Sequence, residues 1–553
     1  MKTYLVILCL IFPFLIFSQD IEKIKKAKPL VMTGGLNVGS QFYKVNGINA
    51  RLVNPMWIIS GNANLNVYGV LDLPFSFTIG KQGTNASYPS FRQFGVSPTY
   101  KWITIHAGWR NMSFSRYTLN AHTFLGAGVE LNPGKWRIGG MYGRLRKARD
   151  FNPDPEFSNI PPVYKRMGYG FKIGYGTENQ YLDLIYFKAE DKINSLAIQS
   201  PDSTVTPGEN AVLGYNLRSR LFKNVYLNSE AALSLFTRDI RSTEASELLP
   251  VDISGFFTPR FSSRLNYALK AGIETRFKNW NFNLDYERIM PQFESMGSYF
   301  FANDVENITI SPRGSLYKNK VQLYGTFGIQ RNNLLADRLE TTRRFIGNGG
   351  MNYFSGNHFG LQVNLTSVNI NQTERIQSLG DSIRVAIVNT NYMVSPYWTW
   401  TDSISNKTIV VLANYQELND RNPFTREFTD MQTVLFNGTF NSSNLKNGLS
   451  IQAGINYDKI FLAALTNMRW GATAGAGWNQ KGGKFGCRLS TTYNLSYIDN
   501  KKDGAIITGN VNIDYSPWPK HKLSFFTNVN RTLSSSFTNY TEILGGVQYG
   551  LVF

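Results

Sequence analysis

Cysteine is almost missing from this chain: of 553 residues only Cys9 and Cys487 carry thiols. Cys9 lies inside an apolar leader, so Cys487 would stand alone in the mature protein. That excludes an internal disulfide and a thiolate metal cluster. Histidine is nearly as scarce, with His106, His122, His358 and His521 the full set. None of them is paired at the i, i+2 spacing that puts two ligands on one strand face. His106, mid-strand, and His122, at the start of the next strand, form the one pair that could meet in a lumen. Charged residues are few at 17%. Beyond the leader there is no run of about 20 apolar residues to build a membrane helix. The signatures G-x-S-x-G, G-x-x-x-x-G-K-S/T and H-E-x-x-H are absent too. The residues indicate no enzyme class, no cofactor and no metal.

What the chain does have is aromatic residues, at 14%, and 48 glycines, with a mean hydropathy of −0.24. So many aromatics exclude a disordered chain. The pattern is plainest at the end, in I-L-G-G-V-Q-Y-G-L-V-F (543–553). Ile543, Val547, Tyr549, Leu551 and Phe553 share one face of a strand, while Gly546, Gln548 and Gly550 share the other. Strands that turn apolar residues outward and polar ones inward belong to transmembrane β-barrels. A last strand carrying Val547, Tyr549, Leu551 and Phe553 resembles the signal that barrel-assembly machinery reads. At the start, Lys2, the apolar run Tyr4–Phe17 and the small Ser18 read as a signal peptide over 1–18, cleaved before Gln19. Residues 19–28 read as a short periplasmic lead and 29–553 as the barrel. The expected address is the cell outer membrane, with both termini periplasmic.

The alternation holds through the interior. Leu265, Tyr267, Leu269, Ile273 and Phe277 share one face; Arg264, Asn266, Lys270, Glu274 and Arg276 share the other. F-K-N-W (277–280) then reverses the chain, and similar short turns are expected from L-D-L-P (71–74) to P-W-P-K-H-K (517–522). The expected fold is all-β: a single antiparallel transmembrane β-barrel of about 26 strands (22–26), with no plug domain. Longer loops fall at Lys147–Arg166, Glu190–Glu209, Asp239–Arg260 and Met290–Val305. Trp136, Trp280 and Trp518 sit beside short turns, where a membrane interface favours amphipathic rings. Cys487, alternating with Phe485 and Leu489, reads as lipid-facing.

Alternation also places Lys172, Arg218, Arg220, Arg264, Lys270, Arg276 and Arg488 on the lumen face. Glu230, Glu274, Asp285 and Glu287 stand near enough to pair with them across strands. The alternative use of such a basic face is a path for anions. Net charge is +19, which suits contact with lipopolysaccharide; dispersed basic residues without a framing motif do not suit nucleic acid. A ring of about 26 strands, ~4.8 Å apart and tilted ~40°, is roughly 50 Å across and cannot stand open. The loops around 147–166 and 239–260 are the expected infolding segments, with a separate plug or surface partner protein as the other means of closure.

The segment S-P-T-Y-K-W-I-T-I-H-A-G-W-R-N-M-S-F-S-R-Y-T-L-N-A-H-T-F-L-G-A-G-V-E-L (97–131), running on to 148, is similar to a large family of outer-membrane barrels of the Bacteroidota without assigned activity. F-S-Q (17–19) fits that phylum, and D-S-T (202–204) and D-S-I (381–383) resemble its O-glycosylation acceptors. The resemblance implies fold and location and brings no site residue. The short lead does not look like that of a TonB-dependent transporter. The expected function is a conduit for protein, polymer or large solute. A structural or assembly component with an occupied lumen, and a general porin, are the alternatives.

Overall fold

The computed structural model describes residues 28–52, 55–81, 93–153, 161–198, 205–245, 257–299, 302–356, 358–374 and 384–553. The leader and the two acceptor-like triplets lie outside these residues. One antiparallel sheet of 27 strand segments closes on itself. Gln93–Val96 and Thr99–Tyr100 are halves of one strand, because both pair with the strands on either side. Ser97 and Pro98 part them, and Pro98 has no amide hydrogen to continue the ladder. The barrel therefore has 26 strands, and no helical plug occurs among the described residues.

Closure is made by the first and last strands, Leu30–Asn46 and Tyr540–Val552, in register from Gly35↔Val552 to Asn46↔Thr541. Phe553 extends the seam: its carbonyl accepts from Gly34 N at 2.9 Å and its amide donates to Gly34 O at 3.0 Å. In hydrocarbon an unpaired backbone group costs several kcal/mol, so a spanning sheet needs this seam.

Alternation sets the faces. Leu265, Ile273, Leu284 and Ile310 are exposed on the outside, while Ala268 and Gly272 on the same strands are buried inside. Trp136 and Trp518 are exposed beside short turns. Cys487 lies opposite Trp478 and Ile513.

The two rims differ. On one, strands are joined by short turns: 68–70, 101–102, 132–135, 178–179, 223–224, 278–279, 317–320, 355–358, 402–404, 445–448, 480–484 and 516–520. The first and last strands also begin and end there. The expected turn at L-D-L-P (71–74) falls instead at 68–70, and those four residues start the strand Leu71–Lys81. Tyr68 and Gly69 take the positive φ the reversal needs, and Asn66 Oδ1 accepts from Gly69 N at 2.8 Å. Four other turns use lysine in that left-handed region, at Lys101, Lys278, Lys318 and Lys520. A side chain there costs about 1–2 kcal/mol relative to an ordinary conformation. The opposite rim carries loops that are long between residues 113 and 304 and shrink to 463–465 and 499–500 further on.

Ile273→Arg, on the outer face away from both rims, should lower barrel yield and cost about 2–4 kcal/mol. Heat-modifiable migration and urea unfolding in lipid measure it. A neutral result would put Ile273 on the inner face.

Candidate lumen closure

Between the strands Ile103–Met112 and His122–Leu131 the chain reads S-F-S-R-Y-T-L-N-A (113–121). Water offers this loop's large apolar side chains no stable place on a rim. The loop folds inward, and Phe114, Tyr117 and Leu119 are all buried. Phe114 N donates to Leu119 O at 2.8 Å, tightening the turn. The Tyr117 hydroxyl donates to Glu287 Oε1 at 2.6 Å, and Arg116 Nη1 stands 3.0 Å from the same oxygen. Tyr117 N donates to Glu230 Oε1 at 3.2 Å. Burial, and then the bond to Glu287, push the phenol far above its ordinary pKa, so it remains a donor. Glu230 and Glu287 belong to Val225–Thr237 and Trp280–Ile289, so the loop reaches across to a wall many strands away.

A second inward loop, M-P-Q-F-E-S-M-G-S-Y (290–299), locks onto the first. Phe293 meets Tyr117 edge-on, with centroids 6.1 Å apart. Ser295 Oγ donates to Thr118 O at 2.5 Å, and Asn120 N donates to Gly297 O at 2.9 Å. Asn210 holds the loop from the wall: its Oδ1 accepts from Met296 N at 3.0 Å, and its Nδ2 donates to Ser234 Oγ at 2.8 Å. His122 stacks on Tyr299 at 4.2 Å. A Cβ on Gly297 would lie 2.5 Å from Thr118 O and 2.9 Å from the Phe187 ring, so only glycine lets the loops meet. Ile185, Phe187, Val212 and Leu145 on the lumen face complete an apolar core with both loops. The contacts named here fall on strands between residues 103 and 289.

The remaining wall differs. Cross-strand neighbours Asn441, Gln452, Ser490, Asn510 and Asn528 form a neutral row, interrupted by Gly475. Asn510 and Asn528 hydrogen-bond at 2.6 Å, and Asn456 reaches Asn494 at 2.6 Å across Gly471. The charges on this wall include Asp458 and Arg469, paired at 3.0 Å, and Arg488.

The seven expected lumen cations are spread over this interior and do not form one cluster. Arg218 and Arg276 both pair with Glu274, at 3.0 and 2.5 Å. Lys270 stands 3.8 Å from Asp285. Arg220 donates to the turn carbonyls of Phe222 and Lys223, and Arg264 to Gln292 Oε1. Lys172 Nζ lies 5.7 Å from the Phe114 ring centroid. Arg488 sits on the neutral wall.

One expectation is met from other loops and another is corrected. The described loops that fold inward are 113–121 and 290–299; of the expected 147–166 and 239–260, residues 154–160 and 246–256 lie outside the described residues, and Tyr164 and Phe257 at their described ends are buried. The described ends of those two pair with themselves through Arg149↔Val163 and Glu244↔Arg260. His106 and His122 do not meet. Register puts His106 opposite Gly128 and His122 opposite Met112, at different heights. His106 bonds Ser97 Oγ at 2.9 Å and His122 bonds Thr123 O at 2.9 Å. His521, at the start of its strand, has Nδ1 2.8 Å from the Tyr549 hydroxyl.

No protein-family model and no curated protein matches this chain. Among solved structures it is similar to the P pilus usher (PapC) translocation pore, at TM-score 0.40 and 11% identity over 95% of this chain and 100% of that one. It is also similar to OccK9 (OpdG) of Pseudomonas aeruginosa, at TM-score 0.31 and 12% identity over 70% and 98%. A third is a mutant of the ferric enterobactin receptor (PfeA) of the same organism, at 0.40 and 8% over 94% and 80%. Likeness at this level carries no argument about cargo. The closed, outwardly apolar sheet itself makes this an outer-membrane type of β-barrel.

Phe293→Ala should undock the paired loops, since emptying a buried aromatic site costs about 3–5 kcal/mol. Trypsin cleavage after Arg116 in the folded barrel reads this out: protected in the parent, rapid in the variant. Equal protection would mean that the loops do not depend on this contact.

Proposed function

We propose that the chain is an outer-membrane conduit for large hydrophilic cargo, partly closed by its own loops 113–121 and 290–299. The observation that supports this most is their mutual burial inside the barrel against one side of the wall. Apolar side chains, a buried tyrosine and paired carboxylates fix them there, which a channel of fixed full width would not need. The opposite wall of amides and hydroxyls presents hydrogen-bonding groups with little fixed charge, suited to a hydrated passage of low ion selectivity. In this reading the short-turn rim and both termini face the periplasm, and the long loops face outward toward lipopolysaccharide. A partner protein seated on the amide wall would complete closure where the loops do not reach.

Single-channel recording on the purified chain tests it. The parent should show small, fluctuating conductance, and Tyr117→Ala with Phe293→Ala should raise it several-fold into the nanosiemens range. Conductance that is large in the parent and unchanged by the substitutions would remove the closing role. Silence in both would favour a structural component of a larger assembly.

A further inference from the structure

The short-turn rim carries a charge pattern that the conduit does not use. Eight of its twelve turns contain lysine and none contains arginine; the acids in these turns are Glu178 and Asp402. Asp402 is taken up by the amides of Ile404 and Ser405, both at 2.7 Å. The turn lysines are exposed and enter no ion pair among the described residues, with Lys101, Lys135, Lys278 and Lys446 typical. On the other rim several charges are matched, Arg51 with Glu542, Lys192 with Glu190, Arg241 with Asp239 and Arg338 with Asp304, although Arg384, Arg421 and Arg426 there enter no ion pair among the described residues.

Two further observations point to a ligand. Lys101, Lys278, Lys318 and Lys520 occupy positive-φ positions, where glycine or asparagine would make the same turn without strain. The turn geometry therefore does not explain the lysine. Tryptophans also mark the depth. Trp102 follows Lys101, Trp136 follows Lys135, and Trp280 follows Lys278 closely. Trp478 Nε1 donates to Asn447 O at 3.0 Å, beside Lys446. Outward-facing tryptophan seats itself at the headgroup level, which puts the neighbouring ammonium groups among the phosphates.

We infer that this rim is a collar for anionic glycerophospholipids of the leaflet that meets the short turns. The lysines recur around the ring from residue 101 to residue 520 and do not gather in one patch. That matches an annulus of lipid better than the footprint of an acidic protein. Flexible, strongly hydrated ammonium groups also suit mobile phosphates better than a rigid guanidinium fork would. The inference rests on the membrane reading of the barrel and not on its being a conduit.

The test is tryptophan quenching of the full chain in vesicles of brominated phosphatidylglycerol or brominated phosphatidylcholine. The anionic lipid should be preferred roughly fivefold or more, and high salt should erase the preference. A variant in which all ten turn lysines are replaced, with Lys101→Gly, Lys278→Gly, Lys318→Gly and Lys520→Gly at the left-handed positions and Lys→Gln at the other six, should bind both lipids alike. Because glycine relieves the left-handed strain, that variant should unfold no earlier in urea than the parent, separating lost binding from lost fold. Equal quenching by both lipids in the parent overturns the proposal and returns the lysines to an acidic protein. A preference that survives the substitutions overturns it as well, since the anion site would then lie elsewhere. Neither result bears on channel conductance, so the conduit reading stands or falls separately.

Discussion

A sheet in hydrocarbon cannot have an edge, and everything else in this structure follows from that. Backbone groups that face lipid have no water to turn to, so the first strand must find the last across the whole chain. Leu30–Asn46 and Tyr540–Val552 do so over a long continuous register, which Phe553 extends to Gly34. The seam admits the close approach through small residues: the Phe42 ring lies over Gly545 where a Cβ would stand 2.3 Å from it. Fixing the strand number at 26 then fixes a wide interior, and the interior becomes the second problem.

That problem is met on one side of the ring by burying apolar loops. The strands beneath them accordingly lose their alternation. In Gln180–Asp191, Leu184 faces lipid while Ile185 and Phe187 are buried inward, so consecutive residues L-I-Y-F are apolar or aromatic whichever way they point. Such a strand is expected where both faces are covered, as in a soluble core. The other side keeps polar residues inward, and its amides bond to one another across strands. Gly471 shows how close that packing is: a Cβ there would fall 2.2 Å from Asn494 Oδ1 and block the Asn456–Asn494 contact.

Strand number and face assignment were legible in the sequence because period-two alternation and turn residues are local signals. The face reading of 264–287 holds residue by residue. L-D-L-P misled by one element because proline and aspartate look like a turn, although Pro74 is tolerated in the ladder opposite Asn64. The closing loops were harder to see. Loop length drew attention to 147–166 and 239–260, whereas 113–121 and 290–299 are marked by composition: Phe114, Tyr117, Leu119, Phe293 and Met296 are apolar where a rim loop should be polar. Paired with the lost alternation at 184–187, that would have located them. The partners that fix them, Glu230, Glu287 and Asn210, come from distant strands, and no local pattern relates these to residue 117.

The net charge of +19 is also distributed by physical constraint. Cations in the lumen have little water and are met either by carboxylates, as Arg137 is by Asp183 and Arg218 by Glu274, or by neutral groups, as Arg264 is by Gln292 and Lys172 by the Phe114 ring. A cation at a turn keeps its hydration and needs no partner to be stable there. Matching neutralises part of the basic lumen face, and the lysines of the short turns add charge that has no acidic partner among the described residues. The overall charge says little about what passes through the barrel; it describes the surface by which the barrel meets its surroundings.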